Sequence, residues 1–371
     1  MALKSQLLAF VLLALLVALV VSFLMTPVVK SFAYKVGAID VPKDNRRMHK
    51  VPVPRLGGLA IFIGFMVSIL LFAEIDGEMK SILLGAVIIV VLGVVDDIMA
   101  LPAMLKFVIQ IGAALIPTMN GVRILAFSNP NIFSDSLYWV LGGLSIPITV
   151  LWIVALTNAV NLIDGLDGLA NGVSAISATT MLVIALMASE TQVSIVMAAL
   201  VGASLGFMPY NMHPAKMFMG DTGATFLGYI LATMSIQGLF KYYAVISFVV
   251  PFMILGLPIF DTSFAFIRRI AHGQSPMHAD RSHIRHRLID MGLNQKQAVA
   301  TLYVISAILG LSAVVLTTSG EQKAMLLFLA LCIVAVVAAR VVFPKEVKEE
   351  LHEELEELTH HEKNGETKED T

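Results

Sequence analysis

Five aspartates that border long apolar segments are the residues of this sequence best suited to chemistry. They are Asp96 and Asp97 at the end of one segment, Asp164 and Asp167 around a turn, and Asp221 at the start of another. Ionisable groups are costly in a bilayer, and where they persist beside spans they usually mark substrate paths or catalytic centres. Carboxylates with Lys, Arg and Asn donors nearby suit Mg²⁺ and a pyrophosphate. The five aspartates therefore predict a phosphoryl-transfer centre, although Asp96 and Asp97 could also simply end a span.

The segment NAVNLIDGLDGLANG, residues 158–172, supplies two of these carboxylates and an amide. Asn161, Asp164 and Asp167 are three residues apart, so on helical geometry they share one face. The glycines between them permit a close approach to the backbone. We interpret this segment as part of a binding site, with a purely structural turn as the alternative.

The segment NMHPAKMFMGDTGA, residues 211–224, places Asp221 at the start of an apolar helix. A helix start has exposed N–H groups and is a ready site for an anion. Asn211 and Lys216 lie upstream, and Phe218 can stack on a flat ring. These residue types predict contacts to a nucleotide or a phosphate.

Two common catalytic motifs do not apply to this chain. It has no G-x-x-x-x-G-K-[ST] loop, so an ATP-driven reaction finds no support, whereas the exchange of one pyrophosphate linkage for another needs no separate energy source. Gly202 to Gly206 spell G-x-S-x-G, but they lie inside an apolar run with no strand before it. Small residues in such a run predict close helix packing.

The composition is too apolar for a soluble protein, with 57% hydrophobic residues, 14% charged residues and a mean hydropathy of +0.84. The formal net charge of −2 provides no basic field to recruit nucleic acid. The single cysteine, Cys332, excludes a disulfide framework and, in its apolar run, indicates packing. The bilayer is therefore predicted to be the solvent of the chain.

Spanning about 30 Å of hydrocarbon takes roughly 20 apolar residues as helix. On this criterion the sequence predicts an all-α polytopic bundle of about eleven transmembrane helices. The first is expected to be a retained span, because it is too long for a signal peptide and lacks an A-x-A site. The predicted spans lie near 5–29, 56–73, 80–96, 102–119, 144–163, 166–188, 191–209, 222–240, 243–267, 297–317 and 323–343.

The predicted domains are one polytopic membrane domain, 1–343, and a charged tail, 344–371, that is helical at first and then disordered. An odd number of spans puts the termini on opposite sides, and most of the 25 lysines and arginines fall in loops of one side. The positive-inside rule then predicts an outside N-terminus and a cytoplasmic C-terminus. All five aspartates emerge on the cytoplasmic side, and the outside loop 120–143 is expected to hold a short hairpin.

Six pieces of the sequence, in order, resemble the polyprenyl-phosphate N-acetylhexosamine-1-phosphate transferase family (glycosyltransferase family 4), which includes the phospho-N-acetylmuramoyl-pentapeptide transferases. Together they run from about residue 40 to 295. Each piece falls at a predicted cytoplasmic span end. The pieces are RRMHKVPVPRLGG (46–58), GVVDD (93–97), NAVNLIDGLDGLA (158–170), NMHPAKMFMGDTGA (211–224), PIFDTSFAFIRR (258–269) and HADRSHIRHRLIDMG (278–292).

The resemblance implies that a polyprenyl phosphate attacks the β-phosphate of a UDP-sugar, giving a lipid-pyrophosphate sugar and UMP. The implied cofactor is Mg²⁺, with Mn²⁺ as the alternative, and Asp221 is the leading metal ligand with Asp97 beside it. The implied catalytic residues are Asp96, Asp97, Asp164, His283 and His286. The implied substrate contacts are Lys50, Arg55, Lys106, Asn161, Asp167, Asn211, Phe218, Arg281 and Arg285. Which aspartate acts as a base, if any, stays open, because a phosphate monoester is already largely ionised near pH 7.

The histidine segment departs from the family pattern at one position. Arg285 stands between His283 and His286 where the family usually shows a histidine. Arginine binds phosphate bidentately but cannot act as a neutral base, so a mechanism that rests on that central histidine is in doubt. The histidines themselves are candidates for sugar or phosphate binding, for pairing with Asp261 or Asp280, or for a metal.

The resemblance implies a bacterial plasma-membrane enzyme with a cytoplasmic active site, and it leaves a homodimer open. HADRSHIRHRL and PVPRLGG resemble the branch that uses UDP-N-acetylglucosamine or a related hexosamine, so we expect initiation of a cell-envelope polysaccharide or teichoic acid. The alternative is a phospho-N-acetylmuramoyl-pentapeptide transferase. A transporter is the remote alternative, since transporters commonly hold their acids at the bilayer midplane, often between two repeated halves, and this chain has no such halves.

Overall fold

The structure, a computed structural model, describes residues 2–41, 51–128, 138–240, 249–271 and 283–319, together with 323, 327 and 329. The described residues are 81% helical. It divides into two compact units, Met1–Ala324 and Met325–Thr371, and every helix and strand with assigned bounds belongs to the first. The predicted span 323–343, apart from those three residues, and the predicted tail 344–371 lie outside the described residues, as do Lys50 and Arg281.

Twelve α-helices are assigned within the described ranges. They are α1 (Ala2–Val36), α2 (Gly57–Phe72), α3 (Gly77–Met99), α4 (Ala103–Met119), α5 (Ser145–Ile163), α6 (Leu169–Met187), α7 (Thr191–Asn211), α8 (Gly220–Ser235), α9 (Val249–Ile254), α10 (Gly256–Ala271), α11 (Ile284–Asp290) and α12 (Gln295–Ser319). A 3₁₀ turn (Gly142–Leu144) precedes α5, and a π-helical turn (Ile236–Phe240) follows α8.

The predicted apolar runs up to residue 317, where the structure describes them, fall on these helices from α1 to α12. Six helices of the described part are long and apolar enough to cross a membrane, and α2, α4 and the first part of α10 are shorter apolar helices. The run predicted as one span at 243–267 is divided at Leu255 into α9 and α10. Gly256 and Pro258 follow the break, and Pro258 has no N–H to continue the helical ladder. The number of spans and the orientation of the termini stay predictions.

Two short antiparallel ribbons connect helices. Strand β1 (Ile39–Asp40) pairs with β2 (Val53–Pro54) between α1 and α2. Strand β3 (Ala126–Ser128) pairs with β4 (Tyr138–Val140) between α4 and α5, which confirms the hairpin expected in 120–143.

Small residues let α7 pack closely against α1. A Cβ added to Gly202 would overlap the backbone oxygen of Leu15, and one added to Gly206 would overlap that of Leu19. The G-x-S-x-G match is therefore a helix contact, as predicted, since glycine permits backbones to approach.

Helix α8 lies in the interior of the first unit, where it contacts α2, α3 and α5 and where every residue from Thr222 to Ser235 is buried. Helices α3 to α8 alternate in direction, so α3, α5 and α7 end on the side where α4, α6 and α8 begin. This alternation brings the five aspartates to one end of the bundle.

Candidate active site

A polar cavity of about 590 Å³ opens at the end of the bundle that holds the aspartates. Its volume is in the range of small-molecule sites, about 300–1,000 Å³. Predicted site residues that line it are Arg55, Asn161, Asp164, Asp167, Asn211, Phe218, Asp221, Arg285 and His286. Four sequence segments that are distant along the chain therefore meet at one cavity.

Asp221 lies in the first turn of α8 at the cavity wall, with its side chain 23% exposed. Its Oδ2 accepts hydrogen bonds from Lys106 Nζ at 3.0 Å and from Asn161 Nδ2 at 3.3 Å. Lys106 comes from the first turn of α4 and Asn161 from the last turn of α5. The start of one helix is thus joined to two neighbouring helices through a single carboxylate oxygen.

Lys106 also connects Asp221 to Asp96. Its Nζ lies 2.9 Å from Asp96 Oδ2, while Asp96 Oδ1 accepts the backbone N–H of Leu101 at 2.7 Å. Asp96 is buried. One ammonium group is therefore shared by two carboxylates, and Asp96 does not itself line the cavity.

Asp97 is buried, and both of its carboxylate oxygens are occupied by protein donors. Oδ1 accepts from Arg55 Nε at 3.1 Å, from Arg55 Nη2 at 3.0 Å and from the backbone N–H of Asp221 at 3.0 Å. Oδ2 accepts from the Thr222 backbone N–H at 3.0 Å and from Thr222 Oγ1 at 2.7 Å. Asp97 thus caps the start of α8 from another helix.

This cap changes the interpretation of the α8 start. The exposed N–H groups of that helix were predicted to receive a ligand anion, but those of Asp221 and Thr222 already donate to Asp97. The anion site at the start of α8 is therefore filled by Asp97, a buried carboxylate of α3. A helix start attracts a protein carboxylate as it attracts a ligand anion. The catalytic and metal-binding roles of Asp97 stay predictions.

Arg55 reaches Asp97 from the segment that follows β2. That segment runs beside the residues before α8: Phe218 N donates to Pro54 O at 2.9 Å, and Gly57 N donates to Phe218 O at 2.9 Å. Two of the five N–H donors of Arg55 engage Asp97, and its side chain, 31% exposed, lines the cavity. Further donors are therefore available for a ligand.

Asp164 follows the last residue of α5 and is half-buried in the cavity wall. Burial raises the pKa of its carboxyl to about 7; the negative charge of Asp221 adds to the rise, and Arg285 opposes it. Near neutral pH Asp164 therefore exchanges between its charged and neutral forms, a property suited to proton transfer.

Asp167 is held by the turn that follows α7. Its Oδ2 lies 2.7 Å from His213 Nδ1 and accepts the backbone N–H of Ala215 at 3.1 Å. His213 also lines the cavity. Sequence reasoning did not single out His213, although it stands in the 211–224 segment, two residues after Asn211.

The histidine segment divides into a buried part and a cavity-facing part. His283 is 4% exposed, and its Nδ1 lies 2.9 Å from Asp261 Oδ2, while Asp261 Oδ1 accepts the backbone N–H of Ile284 at 2.8 Å. Of the two pairing partners considered for the histidines, Asp261 is bonded to His283, and Asp280 lies outside the described residues. His286 and Arg285 line the cavity instead.

The donor set bears on whether a divalent ion fits here. The described residues hold no group of three His, Cys, Asp or Glu side chains placed to ligate one ion. Mg²⁺, however, is commonly bound by one or two carboxylates together with waters and substrate phosphates. Asp221, whose carboxylate is part-exposed at the cavity, fits that pattern better than the fully hydrogen-bonded Asp97.

Helices that can cross a bilayer and an acidic cavity at one end of the bundle define a multi-pass helical membrane protein. The model of glycosyl transferase family 4 matches residues 79–239. Over 307 residues, the chain is 44% identical to a probable undecaprenyl-phosphate N-acetylglucosaminyl 1-phosphate transferase of Bacillus subtilis, covering 82% of this chain and 85% of that protein. The chain belongs to glycosyl transferase family 4.

Two further relatives show how wide the likeness is. A decaprenyl-phosphate N-acetylglucosaminephosphotransferase of Mycolicibacterium smegmatis is 30% identical over 364 residues, covering 87% of this chain and 86% of that protein. A phospho-N-acetylmuramoyl-pentapeptide-transferase of Staphylococcus aureus is 29% identical over 320 residues, covering 80% of this chain and 96% of that protein.

Proposed function

We propose that the chain transfers N-acetylglucosamine-1-phosphate from UDP-N-acetylglucosamine to undecaprenyl phosphate, giving undecaprenyl-pyrophosphoryl-N-acetylglucosamine and UMP. The observation that carries the proposal is the cavity, in which Asp221, Phe218 and Arg55 meet at the end of an apolar bundle. The 44% identity to the Bacillus subtilis protein, against 29% to the muramoyl-pentapeptide enzyme, supports this sugar.

The proposed reaction exchanges one pyrophosphate for another. An oxygen of the lipid phosphate forms a bond to the β-phosphorus of the UDP-sugar, and the bond from that phosphorus to the oxygen bridging the two phosphates breaks. The bridging oxygen leaves on UMP. Since a lipid phosphate and UMP are both largely ionised near pH 7, no net proton transfer is needed and a general base contributes little. The work of the protein is positioning and charge compensation.

The cavity residues supply these two effects. Phe218 offers a ring face to the uracil, and Asn161 and Asp167 offer polar groups beside it. Arg55 has N–H donors beyond those that hold Asp97, and a planar guanidinium matches phosphate oxygens in a bidentate arrangement. Lys106 keeps Asp221 in place from the opposite side of the wall.

We include Mg²⁺ in the proposal, with Mn²⁺ as the alternative ion. Asp221 would hold it at the cavity wall, where the ion would neutralise charge on the transferring phosphoryl group. Ligand binding to the folded state raises its stability. Mg²⁺ should therefore raise the melting temperature of the wild-type protein when UMP is present, and it should do so much less in Asp221→Asn.

Purified protein in lipid nanodiscs, given undecaprenyl phosphate and Mg²⁺, tests the reaction. With labelled UDP-N-acetylglucosamine we expect label in the lipid fraction and an equal amount of UMP. A panel that includes UDP-N-acetylgalactosamine and the muramoyl-pentapeptide nucleotide decides the sugar. Turnover of the pentapeptide nucleotide alone would make the hexosamine assignment wrong. Movement of a solute into liposomes without UMP release would instead favour a transporter.

Asp221→Asn should abolish turnover, because a neutral amide is a poorer metal ligand and compensates no charge. Asp76→Asn is the matched control: Asp76 caps the start of α3 at the other end of the bundle through Met79 N, and asparagine caps equally well. Near-normal turnover by Asp221→Asn would remove Asp221 from the metal site.

The proposal includes a bacterial plasma membrane with the cavity on the cytoplasmic side. In a Cys332→Ala background, Gly77→Cys should react with an impermeant maleimide on intact cells, since Gly77 starts α3 in open space. Ala215→Cys, at the cavity, should react only after permeabilisation. The opposite pattern would reverse the orientation. A homodimer is left open.

A further inference from the structure

Arg285 reaches from α11 to the turn that joins α5 to α6. Its Nη1 donates a hydrogen bond to the backbone oxygen of Leu162. A Cβ added to Gly165 would lie 2.5 Å from Cζ and from Nε of Arg285, and the three atoms nearest to it all belong to that guanidinium. The arginine thus lies directly against the backbone of the turn, in space that any larger residue at 165 would take.

The chemistry of this contact suits a cation. Leu162 is among the last residues of α5, whose carbonyl groups lack helical partners and carry the negative end of the helix dipole. The negative charges of Asp261 and Asp164 also favour a cation at this position. The guanidinium therefore donates to one carbonyl and is attracted by the charges of two carboxylates, and its Nε is buried with no hydrogen-bond partner among the described residues.

The turn that Arg285 touches carries functional side chains. Between α5 and α6 it holds Asp164 and Asp167, and both line the cavity. On its other side, Tyr303 Oη of α12 donates to Gly168 O at 2.6 Å. The turn is thus fixed at its start by α11 and at its end by α12.

We propose that Arg285 is a positioning residue that locks this turn, with Gly165 as the receiving position, and so sets where Asp164 and Asp167 stand in the cavity. Arg285 and Gly165 then form one functional unit: the arginine side chain needs the missing side chain of the glycine. The kinetic part of the proposal rests on the proposed function, whereas the packing part does not.

A double-mutant cycle tests the unit. We expect Gly165→Ala and Arg285→Ala each to lower kcat/KM for UDP-N-acetylglucosamine by roughly 10- to 100-fold, since a misplacement of about 1 Å can cost that much. The double variant should be no worse than Arg285→Ala within about threefold, because the group that the new Cβ displaces is then absent. If the fold losses in kcat/KM of the two single variants instead multiplied in the double variant, the proposal would be overturned.

Two matched controls accompany the cycle. Gly112→Ala adds a Cβ in open space on α4, and Arg287→Ala removes an arginine of α11 that stacks on Phe264 away from the cavity. Both should leave kcat/KM unchanged. An equal loss in Arg287→Ala would show a general effect on α11 and would overturn the specific role of Arg285.

Inhibition by nucleotides separates positioning from direct phosphate binding. If Arg285 sets the turn, Arg285→Ala raises the inhibition constants of UMP and of uridine by the same factor. If it contacts phosphate, only that of UMP rises, and the positioning role is wrong. Arg285→Lys should restore little, because an ammonium group lacks the flat face that lies on Gly165.

Melting temperatures of the four proteins of the cycle, measured without substrate, keep the proposal testable if the proposed function fails. We expect the loss caused by Gly165→Ala to be smaller in the Arg285→Ala background than in the wild type. An equal loss in both backgrounds would show that the two residues are not in contact. A wild type without turnover would reject the proposed function while leaving this test intact.

Discussion

Replacing Asp97 with asparagine tests whether this carboxylate supports the start of α8 or takes part in the reaction. In the structure its two oxygens accept bonds from Arg55, from two backbone N–H groups and from the hydroxyl of Thr222. Asparagine has one acceptor oxygen, and its NH₂ group would face donors on the other side. The substitution also leaves Arg55 without its charge partner.

The cost follows from these losses. Removing one partner of a buried ion pair destabilises by about 3–5 kcal/mol. Because the Arg55 side chain is 31% exposed and regains water, we expect about 2–4 kcal/mol. At roughly 2–4 °C per kcal/mol, the value for domains of about 150–250 residues, the melting temperature should fall by roughly 4–16 °C. Turnover should fall with it, because α8 carries Asp221.

Thermal unfolding in detergent, combined with UMP release, distinguishes the two roles. Asp221→Asn is the comparison, since Lys106 keeps Asp96 as a partner and the melting temperature should change by no more than about 2 °C. If Asp97 acts as a cap, Asp97→Asn lowers both the melting temperature and turnover. If Asp97 acts only as a reacting group, the substitution lowers turnover alone. If Asp97→Asn melted like the wild type and were inactive, our reasoning about the cap would be refuted.

Three more predictions concern the turn between α5 and α6. Because burial raises the pKa of Asp164 to about 7 from about 3.9 in the unfolded chain, the folded state holds more protons between these values and loses stability as pH rises through them. Asp164→Asn should therefore raise the free energy of unfolding more at pH 8 than at pH 5, with a difference of up to about 2.5 kcal/mol, measured without Mg²⁺ or nucleotide. A larger gain at pH 5 would contradict this. His213→Ala should raise KM for the UDP-sugar by roughly fivefold with little change in kcat, because Asp167 loses a side-chain partner worth about 1 kcal/mol. An unchanged KM would show that the bond between His213 and Asp167 does not contribute to substrate binding. Tyr303→Phe removes the hydrogen bond to Gly168 O and should lower the free energy of unfolding by about 1 kcal/mol. An unchanged melting temperature would contradict this prediction.

The sequence predicted the helices and the common location of the aspartates for a simple physical reason. Apolar runs of bilayer length form helices, and short connections make neighbouring helices antiparallel, so span ends alternate between two sides. Asp97, Asp164 and Asp221 each stand at such an end. Their meeting at one end of the bundle needed no knowledge of packing.

The individual partners could not be predicted in the same way. Adjacent helical residues point about 100° apart, so Asp96 meets Lys106 of α4 while Asp97 meets Arg55 and α8. The order of residues in the sequence does not reveal which neighbouring helix each of these two side chains faces. The pairing of His213 with Asp167, 46 residues apart, likewise depends on how the chain turns after α7.

The charges at this end of the bundle bear on how an acidic cavity accepts an acidic substrate. Arg55 compensates Asp97, and Lys106 is shared between Asp96 and Asp221, so negative charge is left over at Asp221. The two N–H groups of α8 that could have attracted a phosphate are already bonded to Asp97. A nucleotide diphosphate near Asp221 would therefore be repelled unless a cation lay between them. Because Asp97 already takes these two N–H groups at the start of α8, they do not attract a phosphate to Asp221. Asp221 is instead a suitable ligand for a divalent ion that bridges its carboxylate and the phosphate.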